Sequence, residues 1–72
     1  MMTKSQTRKM LAAALTMVTA DPETDGGVVG RARDVAHARG VCANAEARGL
    51  RASWAKDDDG AYWVYLAPAD AP

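Results

Sequence analysis

The chain has 72 residues, nine basic against nine acidic, with a single cysteine. That length sets one domain near the lower limit for independent folding, with a core whose net stability rarely exceeds ~3–5 kcal/mol. Zero net charge argues against nucleic-acid binding driven by bulk charge, and one cysteine excludes an intrachain disulfide.

The charges are segregated. Lys4, Arg8 and Lys9 make a basic start, and Asp21, Glu23 and Asp25 follow as an acidic cluster. Arg31, Arg33, Arg39, Arg48 and Arg51 dominate the middle, and Asp57, Asp58 and Asp59 sit near the end.

Thr3-Lys4-Ser5-Gln6 fits a capping box, in which a threonine hydroxyl and a glutamine three residues on satisfy each other's backbone donors. Met10, Leu11, Ala14, Leu15 and Val18 then fall on one helical face, and the alanines add helix propensity. The expectation is a helix over about 4–19, ended by Asp21-Pro22, because the residue before proline is pushed out of the α region. A second reading is open for residues 1–20. A basic stretch ahead of Met10–Val18 and the small-residue pattern Val18-Thr19-Ala20 also fit a signal peptide. The apolar run is far too short to span a membrane.

After a polar loop, Val28, Val29, Ala32, Val35 and Ala36 make the apolar stripe of a second helix, over about 28–39. Gly40-Val41 matches a glycine stop. Ala47-Arg48-Gly49-Leu50 echoes Ala38-Arg39-Gly40-Val41, so the expectation for residues 42–48 is a short third helix. Their apolar–polar alternation leaves a strand open, but alanine favours the helix.

The strongest local signal comes last. Two alternating runs flank Asp57-Asp58-Asp59-Gly60, which predicts an antiparallel hairpin over about 50–67. Leu50, Ala52 and Trp54 share one face of its first strand. Tyr62, Val64 and Leu66 share one face of the second, with Trp63 and Tyr65 on the other. That strand is apolar on both sides, so Trp63 and Tyr65 either pack under the 21–27 loop or the first helix, or stand outward as interface anchors. Residues 68–72 read as a frayed tail. The expected architecture is α+β: two main helices and a short third packed on a two-stranded C-terminal hairpin, all in one domain.

Motifs of chemistry are sparse. The three aspartates lack the alternating spacing and downstream glutamate of a calcium loop and read as a solvated turn. His37 and Cys42 are too few for a zinc site. Cys42 is a small buried hydrophobe or, on the second reading, an intermolecular or reactive thiol. Gly26-Gly27-Val28-Val29-Gly30 has neither a preceding strand nor a Gly-Lys-Ser/Thr ending, so it reads as a flexible start to the second helix rather than a phosphate cradle. Ser5 and Ser53 lie in no nucleophile motif. No catalytic residue, metal or cofactor is expected.

Glu46-Ala47-Arg48-Gly49-Leu50, Arg51 to Lys56, the acidic turn and Ala61 to Ala69 together resemble the recognition-helix end and wing of MarR-type winged-helix regulators. Leu66-Ala67-Pro68-Ala69 stands where that family carries Leu-Thr-Pro-Ala. The stretch departs in its acidic wing tip and its short recognition helix. The resemblance implies a DNA-binding regulator; on that reading the basic middle of the chain, Arg31, Arg33, Arg39 and Arg48, supplies the contacts.

The absent chemistry, zero charge, small core and two-sided apolar strand favour a different function. The expectation is a small non-enzymatic, cytoplasmic module that binds a protein partner or a second copy through Trp63 and Tyr65, with no membrane association. In size and character it resembles the small inhibitors and accessory regulators of phages and mobile elements. DNA binding is the alternative.

Overall fold

The computed structural model describes residues 3–69. Among them run α1 (Lys4–Ala12), β1 (Thr16–Ala20), β2 (Val28–Ala32), α2 (Val35–Ala47), β3 (Leu50–Lys56) and β4 (Tyr62–Pro68). The four strands form one antiparallel sheet in the order β1-β2-β4-β3. Both helices pack on one face of that sheet. This corrects the expected architecture: the protein is mixed α/β, but the described residues form two helices rather than three and a four-stranded sheet rather than a lone hairpin.

The first helix starts as the capping box dictates. Thr3 Oγ1 accepts from the Gln6 N–H at 3.1 Å, and Gln6 Oε1 accepts from the Thr3 N–H at 2.9 Å. It then stops at Ala12, not near residue 19. Ala13, Ala14 and Leu15 turn the chain, and Thr16–Ala20 becomes an edge strand. Thr16, Val18 and Thr19 are β-branched, which disfavours helix and suits a pleated strand. Leu11 and Leu15 stay buried, while Met10 and Val18, expected on the same stripe, are exposed. Asp21-Pro22 therefore opens a β1–β2 connection instead of ending a helix, closed by Asp21 N–H donating to the Gly27 carbonyl.

Val28–Ala32 is also a strand, against the helix expected over 28–39. Every residue of it pairs with β4, Val28 with Leu66 through Ala32 with Tyr62. The next helix begins only at Val35, where the Asp34 side chain caps the His37 N–H at 2.8 Å. It runs through Gly40, so the expected stop there is not used and residues 42–48 are no separate helix. Ala38, Val41, Cys42 and Ala45 explain why: they recur at i, i+3, i+4 and i+7 and are all buried against the sheet. A mid-helix glycine costs roughly 1 kcal/mol relative to alanine, less than the burial gained by continuing. The helix ends where the second echo places it, with Gly49 at φ +82° and its N–H donating to the Glu46 carbonyl.

The hairpin forms, with β3 and β4 in register from Leu50–Pro68 to Lys56–Tyr62. β4 is a central strand of the sheet, flanked by β2 and β3. Its Val64 and Leu66 are the most buried large side chains. Around them gather Leu11 and Leu15 from the N-terminal arm, Ala38, Val41, Cys42 and Ala45 from α2, and Leu50 from β3. What precedes the hairpin is a strand and one continuous helix, so the two helices expected over residues 28–48 do not occur. Pro68 is the last residue of β4, and the rest of the expected frayed tail beyond Ala69 lies outside the described residues. Among the described residues no helix is long and apolar enough to cross a membrane.

Candidate interaction surface

The helices cover one face of the sheet, and the period-two alternation of strands sets what the other presents. Register places Val29, Tyr65 and Ser53 in one cross-strand row on that open face, and Arg31, Trp63 and Ala55 in the next. Trp63 and Tyr65 are thus stacked along a central strand. Trp63 is half-buried, and Tyr65 is 37% exposed.

The acidic turn fixes the tryptophan. Asp57 Oδ1 accepts the backbone N–H groups of Asp59 and Ala61, each at 2.9 Å. Its Oδ2 accepts the Trp63 indole N–H at 2.7 Å. The Trp63 hydrogen bond is the largest of the influences that hold the Asp57 carboxyl below its ordinary range, with the Ala61 N–H next. Partial burial opposes them, and the Asp59 N–H and the Arg31 charge add to them. The tip, Asp58 to Gly60, is exposed as a solvated turn should be, while Asp57 at its base clamps one ring of the open face.

The 21–27 connection borders the aromatics without covering them. Asp21, Pro22 and Glu23 form one wall of a cleft of about 440 Å³ whose floor includes Val29, Trp63 and Tyr65 and whose end is Asp57. Asp21 Oδ1 accepts the Glu23 N–H at 2.9 Å, an Asx turn that holds this wall in shape. On the far side of Tyr65, Arg51 and Ser53 border a second hollow that also reaches Asp21 and Thr24.

The arginines do not converge. Arg31 lies on the open face beside Trp63, and Arg33 lies in the β2–α2 connection, where its backbone N–H donates to His37 Nδ1 at 3.0 Å. Arg39 borders a groove between α2 and β3, with Cys42, Glu46 and Trp54. Arg48 caps the end of α2, its Nε donating to Asn44 Oδ1 at 3.0 Å. Of the six residues picked out from the sequence, Trp63, Tyr65 and Arg31 share one surface, Arg33 stands at its border, and Arg39 and Arg48 belong to the helical layer.

Sequence reasoning missed Val29, Arg51 and the Asp21–Glu23 wall. The β-branched Val28-Val29 pair was the available signal for a strand, although a helical stripe absorbs it equally well. His37 is held by the Arg33 N–H, and Cys42 is buried with its pKa raised, mainly by burial and then by the Glu46 charge. Comparison with protein-family models, with curated proteins and with solved structures finds no match to this chain.

Proposed function

We propose that this chain is a small non-enzymatic binding module, working in the cytoplasm, that engages a protein partner through the open face of its sheet. One observation carries the reading: Trp63 and Tyr65 stand side by side on central strand β4, on the face that neither helix covers. Half-exposed aromatics on a rigid strand offer large contact area at little entropic cost, the character of interface anchors. The Asp57 bond to Trp63 supports the reading further, because it pre-orients a ring whose burial the core does not require. An inhibitor or accessory regulator of the phage and mobile-element type is the class that suits such a module. The DNA-binding alternative has the exposure of Arg31, Arg33, Arg39 and Arg48 in its favour.

The deciding experiment compares variants on one resin exposed to lysate of the source cell, alongside a low-salt gel shift with genomic fragments. The reading expects a protein retained by wild type and by Arg39→Ala but lost by Tyr65→Ala, with each variant still folded by circular dichroism. DNA retention that disappears in Arg33→Ala, with no protein dependent on Tyr65, would replace it with the alternative. Elution of the pure chain as a dimer by size exclusion, abolished by Tyr65→Ala, would identify the partner as a second copy.

A further inference from the structure

The walls of the aromatic cleft specify a charge. Asp21 and Glu23 stand along one side, Asp57 closes one end, and the rings of Trp63 and Tyr65 form much of the floor. No basic side chain is among its lining residues; Arg31, in the cross-strand row of Trp63, stands beside the Asp57 end and offsets part of that one carboxylate's charge, leaving Asp21 and Glu23 as the acidic wall. Both elements favour the same guest. Carboxylates attract a cation, and an aromatic face attracts one through its quadrupole. Phosphates would meet the Asp21 and Glu23 carboxylates here, which disfavours a nucleic-acid strand although the sheet offers it rings to stack on.

Resting on the reading that the open face is the partner surface, we propose that this cleft receives a cationic side chain, arginine or lysine, from a basic segment of the partner protein. Trp63 is positioned for this by its bond to Asp57, and Asp21 by its Asx turn, so the site is formed before binding. Glu23, Tyr65 and Pro22 line the cleft and are the groups that the charge and the apolar stem of the guest would meet.

The test uses the full chain carrying Trp54→Phe, so that Trp63 is its one indole, titrated with hexa-arginine, hexa-glutamate and a twelve-residue oligo-dT. Trp63 fluorescence and amide chemical shifts are followed together. Hexa-arginine is expected to give a saturable response centred on Trp63 and Tyr65 that weakens with added salt. Glu23→Gln should weaken it about threefold, Glu23→Lys further, and Tyr65→Ala about tenfold. A silent hexa-arginine titration, or a response that Glu23→Lys leaves unchanged, overturns the proposal. If hexa-glutamate or oligo-dT moves the Trp63 and Tyr65 resonances and hexa-arginine does not, the cationic guest is wrong while the partner face stands. If hexa-arginine perturbs only the outer surface of α2, both are wrong.

Discussion

Trp63 and Asp57 are six residues apart in sequence and joined across the β3–β4 turn by an indole N–H to carboxylate bond of 2.7 Å. The same carboxylate accepts the Ala61 and Asp59 backbone donors, so one side chain both closes the turn and orients a ring on the open face. Gly60 makes this geometry accessible by taking φ +85°, a region a β-carbon disfavours. The turn and the binding surface are in this sense one structure.

A pH dependence follows from that bond. The folded state holds Asp57 below its ordinary value of 3.8, led by the Trp63 hydrogen bond. Above that ordinary value the carboxyl is ionised in both folded and unfolded chains, and its stabilising contribution is fully present. As pH falls from there through the folded value, the unfolded chain takes up the proton first, and the contribution is lost. Thermal melts of wild type should therefore fall more steeply below about pH 4 than those of Asp57→Asn. Trp63→Phe keeps a ring and removes the donor, so the Asp57 carboxyl carbon should titrate at a higher pH in that variant. An unchanged midpoint in Trp63→Phe would show that the bond does not set the shift.

Gly40 marks a place where stability is left unused. It lies inside α2, and a β-carbon built on it meets nothing within 4 Å. Its φ is not in the positive range that would strain an alanine. Gly40→Ala is expected to stabilise the chain by about 0.5–1 kcal/mol, through helix propensity and the smaller entropy of the unfolded chain. A rise in the urea midpoint with an unchanged slope checks it. A fall would mean that this turn of α2 needs the glycine.

What was legible in the sequence was local. The β3–β4 hairpin is written in an Asp-Gly turn with alternating runs on both sides, and alternation alone puts Trp63 and Tyr65 on the face opposite Val64. The capping box and the Gly49 stop are local too. Val28, Val29 and Ala32 are different, because their spacing satisfies a helical stripe and a strand alike. Pairing with β4, thirty or more residues on, decides between them. Gly40 misleads for a related reason: a stop signal is overruled by the buried stripe of Ala38, Val41, Cys42 and Ala45, whose partner surface exists only once the sheet is complete. The acidic wall beside Tyr65 depends on the β1–β2 connection, and so could not be placed while that region read as helix ends.

Gly30 lets β2 approach the Leu15–Val18 edge closely. It pairs with Val64, and a β-carbon on it would lie 2.8 Å from Leu15 Cβ and 2.9 Å from Val18 Cγ2. Leu15 Cβ is fixed by its own backbone, so the clash cannot be relieved by a side-chain rotation. Gly30→Ala should push β1 away from β2 and destabilise by about 1–3 kcal/mol. Amide exchange gives the specific signature: protection lost in β1 before the β3–β4 hairpin. Uniform loss, or none, would remove Gly30 as the packing constraint on that edge.

Cys42 offers a probe of the helix–sheet layer. It is 6% exposed in α2, and its pKa is raised, first by burial and then by the nearby Glu46 carboxylate. The thiolate is the reactive species, so both factors suppress chemistry at the sulfur. Native protein at pH 8 should react with a disulfide reagent such as DTNB far more slowly than protein in denaturing urea. Glu46→Gln should raise the native rate only slightly, because burial leads the shift. Cys42→Ser should destabilise by about 1–3 kcal/mol through an unsatisfied buried hydroxyl, and Cys42→Ala by less. A native rate equal to the unfolded one, or a dimer on a non-reducing gel formed without denaturant, would instead establish the reactive-thiol reading and mean that α2 lifts readily from the sheet.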